Sequence, residues 1–335
     1  MSEIRYDLLH DEYILIAPER LHRPIPEASA TLPEPRICPF CPGHEELTPQ
    51  EIFAIRQDGR WQTRVIPNLY KAVQIETPYD SSCDGINERW GGYGAHEILV
   101  DTPLHDATLA SMSTQEIFWW LKTIQERVED LARDPKLVGI DIFKNYGLKA
   151  GATQPHPHTQ IIALPILSKH QKRAFDHAWR YYQEHGRSLH QDIATFESQR
   201  ERALYETTHF FTFAPYASSF PFETILLAKE HATIAGMKET LLQELATHIH
   251  KLFVALQAEL GQFDYNLLFY LPPLNQNFEN AHFFGQKERI FRFFVRVTPR
   301  IYTLAGFELL THSAINPVQP ELAAKLLRRY YEAGS

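Results

Sequence analysis

The chain has 335 residues, 44% hydrophobic and 22% charged, proportions that exclude disordered and fibrous classes and leave one large domain or two modest ones. Lys and Arg number 33 against 41 Asp and Glu, a formal charge of −8. Such a chain has no global attraction for nucleic acid or an anionic membrane, so any phosphate it binds has to meet a local cluster.

Three cysteines make no disulfide framework, and their odd number favours a reducing compartment. The first residues lack a basic segment followed by an apolar one, and no apolar run is long enough to cross a bilayer. Neither a signal peptide nor a membrane span is expected, and a cytoplasmic protein is the reading.

Prolines at 18, 24, 26, 33 and 35 make residues 1–36 an extended arm and not helix. Ile37 to Glu46 is a tight knuckle containing Cys38-Pro-Phe-Cys41. His96 to Asp101 reads as a short strand ending in Thr102-Pro103. Apolar residues at 117, 118, 121, 124, 128 and 131 have helical spacing, with Ser113 as N-cap and Glu116 completing a capping box. Val138 to Phe143 and Gln160 to Leu164 are rich in Ile, Val and Leu and read as core strands. Residues 168–206 are charged, mainly helical and bridging.

The pattern then restarts. Phe222 to His231 echoes His96 to His105, a helix over Thr240 to Leu260 follows, and strands at Asp264 to Leu271 and Phe291 to Pro299 complete the set. A strand-helix-strand-strand order seen twice indicates an internal duplication. The expected division is 1–167, which carries the chemistry, and 168–335.

The chemistry concentrates in residues 145–160. Gly147, Ala150, Gly151 and Ala152 are small enough for the backbone to approach a phosphate. They lead into His156-Pro-His158-Thr-Gln160, where alternate side chains of an extended chain share a face. A neutral imidazole is a competent nucleophile toward phosphorus, and an amide beside it can hold a phosphoryl oxygen. Cys38 and Cys41 have zinc-ligand spacing. No βαβ context precedes them, which disfavours a thioredoxin-like pair. Two further ligands are needed: His105 is a candidate, as is one histidine of the 156/158 pair, with His44 a nearby rival.

Taken together, Cys38-Pro-Phe-Cys41, Asn145-x-Gly147, Gly151 to Gln160 and Tyr216-x-x-x-Phe220-Pro-Phe-Glu-Thr224 resemble the galactose-1-phosphate uridylyltransferase family of the histidine-triad superfamily. Arg20-Leu-His-Arg23-Pro and Ile66-Pro-Asn68-Leu-Tyr look like further family segments, so the resemblance runs from about residue 5 to 330. It implies an α+β fold of duplicated histidine-triad-like units, with an antiparallel sheet forming a half-barrel and helices packed outside. It implies ping-pong transfer of a nucleoside monophosphate between a sugar nucleotide, UDP-glucose by default, and a hexose 1-phosphate in galactose metabolism. His158 matches the nucleophile and Gln160 the residue contacting the transferred phosphoryl group. Cys38, Cys41, His105 and His156 match ligands of one structural zinc, and no organic cofactor is implied. Arg20, Arg23, Asn68, Asn145, Gly151 and Thr153 match positions around the nucleotide and its phosphates. A homodimer is the family's habit.

There are departures. Aligning the repeats on Pro165 and Pro299 sets Arg292 opposite His158 and Phe294 opposite Gln160, so the second half has no nucleophile. Its last strand has no histidine, Cys83 has no Cys-x-x-Cys partner and His231 stands alone, so a second metal found in some relatives is expected to be missing. Gly306-Phe-Glu308 and Ile315-Asn316-Pro317-Val318 also look like ADP-glucose phosphorylases, which carry adenylate and pass it to phosphate. A non-catalytic nucleotide-binding zinc protein is the alternative of another class. A hydrolase of the small histidine-triad type is disfavoured, because those usually place a third histidine where Gln160 stands.

Overall fold

The computed structural model describes residues 2–8, 12–16, 37–303 and 305–332. Arg20 and Arg23 lie outside the described residues. In chain order, β1 (Glu3–Asp7) and β2 (Glu12–Ile16) pair antiparallel. Next comes the knuckle, closed by a 3-10 turn at Glu45–Leu47. The strands β3 (Phe53–Gln57) and β4 (Arg60–Pro67) form a hairpin around Asp58-Gly59, both at positive φ, as a tight two-residue turn requires. Then follow β5 (Ser81–Asp84), β6 (Asn87–Gly91), β7 (Ala95–Val100), α1 (Thr114–Leu131), β8 (Gly139–Tyr146) and β9 (His158–Leu164). The bridge contains α2 (Lys169–His185), α3 (Leu189–Glu197) and the strands β10 (Ala203–Glu206) and β11 (Phe210–Phe213). The restart is β12 (Thr224–Ala228), α4 (Glu239–Leu260), β13 (Tyr265–Tyr270), the short helices α5 (Ala281–Phe284) and α6 (Lys287–Ile290), and β14 (Phe294–Pro299), with α7 (Gly306–Thr311) and α8 (Pro320–Glu332) after it.

Ten strands form one antiparallel sheet in the order β3-β4-β7-β9-β8-β13-β14-β12-β11-β10. Read from either edge toward the β8–β13 seam, the same connectivity recurs. β7-β9-β8 is matched by β12-β14-β13, and the edge strands precede in both. A smaller sheet, β2-β1-β6-β5, lies apart from it.

Period-two alternation divides the large sheet's faces. Leu99, Ile140, Ile142, Ile161, Leu267 and Val295 point to the face covered by α1 and α4, in a core that runs continuously across the seam. The Ser113–Glu116 capping box starts α1 as its sequence predicts. On the opposite face, Ile66, Ile98 and Val100 pack under the knuckle residues Cys38 and Phe40. Elsewhere, Ala194 of α3 packs on Phe211, Phe213 and Leu227, and Phe175 and Ala178 of α2 pack with Val138, Leu167 and Phe291.

The register corrects two details of the repeat. Glu97 faces α1, where Arg127 grips it at 2.7 and 2.8 Å, whereas Glu223 faces the other side and holds Arg296 at 2.8 and 2.9 Å. Their echo is therefore out of step by one residue. Arg292 precedes β14, because α6 shortens that strand, and its guanidinium donates to the carbonyls of Lys229, Glu288 and Phe291.

Candidate active site and metal centre

The knuckle is a succession of tight turns. Cys41 N–H donates to Cys38 C=O at 3.3 Å and His44 N–H to Cys41 C=O at 3.2 Å. Trp61 Nε1 donates to Glu45 Oε1 at 2.7 Å and pins the turn to β4, and that bond holds the Glu45 carboxyl below its usual range. The turns bring both thiols to one side. There Cys41 Sγ lies 3.3 Å from His105 Nδ1 and 3.6 Å from His156 Nδ1, and Cys38 Sγ lies 3.7 Å from His156 Nδ1. The four ligand atoms fall within 4.8 Å of one another. Spacing in the sequence offered His44 as a rival, but its Nδ1 donates to Cys38 C=O at 2.8 Å.

This donor set fits a soft or borderline divalent cation. His156 Nε2 donates to Thr102 C=O at 2.8 Å. That bond puts the ring proton on Nε2 and turns the basic Nδ1 toward the sulfurs, the outer-shell arrangement usual for a metal-bound histidine. Burial pushes the His156 imidazole down to about 4, so it is neutral near pH 7, and burial with the neighbouring Cys38 pushes the Cys41 thiol up to about 11. Two thiolates so close need a cation between them, which would deprotonate them outright.

His158 opens β9, two residues after the metal centre. Its Nδ1 donates to His156 C=O at 2.9 Å, which places the ring's lone pair on Nε2. Phe40, between the two cysteines, packs edge-on against the rings of both His156 and His158. Behind the strand, Lys144 Nζ donates to Asp101 Oδ2 at 2.6 Å, Thr159 Oγ1 to Asp101 Oδ1 at 2.8 Å and Trp120 Nε1 to Thr159 Oγ1 at 2.9 Å. All four residues are buried. This hydrogen-bonded cluster ties the end of β7, β8 and α1 to the start of β9.

His158, Gln160, Asn68 and Thr153 line one cavity of about 230 Å³ whose other walls include Phe40, Ile66 and Ile98. Its described lining contains no Lys or Arg. An adjacent cavity of about 390 Å³ is bounded by Asn145, Gly147, Gln154 and His156.

The small-residue loop serves two ends. Gly151, at φ +84°, faces open space, as an approach to phosphate requires. Gly147, at φ +82°, is instead demanded by the protein: a Cβ there would collide with the Asp264 carboxylate, which accepts from Lys149 N–H at 2.6 Å. Ala150 and Ala152 are buried.

Sequence reasoning missed the contacts that reach these residues from other elements. His96, read only as the start of a strand, lies with Nε2 3.1 Å from Gln160 Oε1. Asn266, from β13, donates to Asn145 Oδ1 at 2.8 Å. Each sits two or more strands away in sequence, so no local pattern announces it.

Residues 1–168 match the family model described as galactose-1-phosphate uridyl transferase, N-terminal domain. The chain is 29% identical over 337 residues to the galactose-1-phosphate uridylyltransferase of Thermotoga maritima, covering 98% of each. It is 27% identical over 345 residues to the ADP-glucose phosphorylase of Arabidopsis thaliana, covering 97% of this chain and 92% of that one. The crystal structure of an ADP-glucose phosphorylase from Arabidopsis thaliana with bound ADP-glucose resembles it with a TM-score of 0.76 at 25% identity, over 98% of this chain and 99% of that one. Fold, site and relatives together define a nucleotidyltransferase. The chain belongs to the galactose-1-phosphate uridyl transferase family.

Proposed function

We propose that the protein transfers a nucleoside monophosphate between a sugar nucleotide and a hexose 1-phosphate, with UDP-glucose and galactose 1-phosphate as the principal pair. One observation carries this reading: the His158 imidazole, its tautomer fixed by the His156 carbonyl, lines a cavity with Gln160 and Asn68. Nε2 attacks the α-phosphorus, the bond to the bridging oxygen breaks, and hexose 1-phosphate leaves with that electron pair. The Nδ1–H bond to the His156 carbonyl stabilises the positive charge that the ring acquires. A second sugar phosphate then displaces His158 and takes the nucleotidyl group. Gln160, Asn145, Asn68 and Thr153 orient the phosphates, Gly151 lets them approach, and Arg20 and Arg23 supply charge.

The metal in this reading is one zinc per chain, held by Cys38, Cys41, His105 and His156. Closed four-ligand sites of this kind are structural. A zinc held there would fasten the knuckle, and with it Phe40, against the nucleophile. Residues 1–167 are the catalytic half and 168–335 the supporting half of each chain in a cytoplasmic protein; the chains pair as a homodimer, a state that light scattering of the purified protein tests by its molar mass.

A second reading, adenylyl transfer from ADP-glucose to phosphate, is favoured by the near full-length similarity to the Arabidopsis phosphorylase. One experiment separates them. The protein is incubated with UDP-glucose and ADP-glucose in turn and weighed by mass spectrometry. A uridylyl adduct supports the first reading and an adenylyl adduct the second. His158→Ala should abolish either adduct without changing the fold, and an adduct that persists in this variant rules out His158 as the nucleophile.

A further inference from the structure

Gln160 and Asn145 stand on the strands that carry and flank His158. Each has a primary amide with chemically opposite ends: the nitrogen donates to a phosphoryl oxygen, whereas the carbonyl oxygen repels it. Which end faces the reaction is determined from behind in both cases, and in both a backbone group sets the sense.

On one side, Ala72 backbone N–H donates to His96 Nδ1 at 3.0 Å. A neutral ring that accepts at Nδ1 carries its proton on Nε2. That N–H reaches Gln160 at 3.1 Å and requires an oxygen there, Oε1. The Asn68 amide also lies against Nε2, with its Nδ2 at 2.9 Å. Asn68 is held through its Oδ1, which accepts from Tyr70 N–H at 2.9 Å. With its oxygen tied back to buried His96, Gln160 has its nitrogen to offer to the cavity it lines.

On the other side, the Ala150 carbonyl accepts from Asn266 Nδ2 at 3.0 Å, which fixes that end of Asn266 as nitrogen. The same nitrogen donates to Asn145 Oδ1 at 2.8 Å. Asn145 thus has its oxygen occupied and its nitrogen turned from β13. Asn266 belongs to the half of the chain without the nucleophile, so that half reaches across the β8–β13 seam into the chemistry.

We propose that His96 and Asn266 are positioning residues that set the polarity of the two amides beside His158, so that both present N–H to the transferred phosphoryl group. The proposal rests on the nucleotidyl transfer argued above. It makes His96 and Asn266 matter through the direction of a neighbouring dipole and not through packing, and preorganised donors of this kind act where charge develops in the transition state.

The test is single-turnover adduct formation with whichever of UDP-glucose and ADP-glucose labels the wild-type protein, together with the two α-phosphorothioate diastereomers of that substrate. Asn266→Asp keeps the shape but cannot donate to the Ala150 carbonyl, and it draws the Asn145 nitrogen toward itself. It should slow adduct formation about 100-fold or more, the usual loss for one oxyanion donor. Asn266→Ala, which releases Asn145 without reversing it, should lose less despite its poorer fit. His96→Gln, which can still donate to Gln160 Oε1, should retain more rate than His96→Leu. Sulfur is a weak acceptor, so the wild type should discriminate against a diastereomer that sets sulfur against either amide, and Asn266→Asp and His96→Leu should each reduce that discrimination. Melting and metal content identify any variant that fails to fold. If Asn266→Asp does, the two His96 variants decide by the same criteria. Asn266→Asp as fast as Asn266→Ala, His96→Gln no better than His96→Leu, or unchanged discrimination overturns the proposal. Absence of any adduct in the wild type overturns the transfer reaction and this inference with it, whereas an adduct with unchanged discrimination overturns the inference alone.

Discussion

His156 and His158 are two residues apart and chemically alike, yet opposite nitrogens of the two rings donate. Nε2 of His156 donates to Thr102 C=O, so Nδ1 meets the sulfurs, and Nδ1 of His158 donates to His156 C=O, so Nε2 carries the lone pair. A backbone carbonyl thereby leaves Nδ1 of one ring available to a metal and Nε2 of the other available for attack on phosphorus. The next alternate residue carries a third choice. Gln160 has no proton to exchange near neutral pH, so it can hold a phosphoryl oxygen without activating water as a base. The nucleotidyl intermediate should therefore wait for a sugar phosphate or inorganic phosphate. Gln160→His adds a titratable ring beside His158 and should weaken transfer while raising hydrolysis. Label release from the isolated intermediate, followed with and without acceptor, measures both, and a wild-type intermediate lost to water as fast as to acceptor would make the protein a hydrolase. The trio at 156, 158 and 160 was legible because alternation along an extended segment is a local property. His96 and Asn266 were not, because only pairing between distant strands brings them to Gln160 and Asn145.

Among elements, the knuckle has the most to gain from a metal ion at its Cys2His2 group. It has few buried apolar residues of its own, chiefly Cys38 and Phe40, and leans on Trp61, Ile66, Ile98 and Val100 beneath it. If the proposed zinc is held there, about one per chain by the four-ligand rule, Cys38→Ser with Cys41→Ser should abolish metal binding and lower the melting temperature. Phe40 packs on His158, so the same pair of substitutions should also slow adduct formation. Metal analysis and a melting curve check the first effects, and unchanged melting with the metal gone would mean that the knuckle is held by packing alone. Elements with strong local signals were readable in advance. The helix α1 carries its apolar period and its Ser113–Glu116 box, and α4 begins and ends within a residue of its expected bounds. The hairpin β3–β4 also carries a local signal, Asp58-Gly59, both at positive φ. The strand β14 is shorter than its apolar run suggests, because Lys287–Ile290 turns into a helix and Arg292 spends its donors on carbonyls.

At the scale of the whole molecule, the duplication does not produce two independent bodies. The strand order is continuous through β8–β13, and α1 packs along α4 over the seam. One core contains Trp120, Ile124 and Ile161 from the first half and Leu245, Phe253 and Leu267 from the second. Splitting the halves would expose that surface on both, at roughly 25 cal/mol for each Å² of apolar area, so neither half can melt and leave the other's core intact. Unfolding should therefore be a single cooperative transition despite the chain's length, in contrast to the stepwise melting of separate domains. Leu245→Ala offers the direct check, since Leu245 is wholly buried in α4 and distant in sequence from every residue of the catalytic motif. The cavity it leaves should cost about 2–5 kcal/mol. If the halves are one cooperative unit, this substitution in the half without the nucleophile shifts the loss of near-UV dichroism, of bound metal and of adduct formation to one common lower temperature. Two resolved calorimetric transitions, with metal and adduct formation surviving the first, would show that the seam separates two domains instead of joining one.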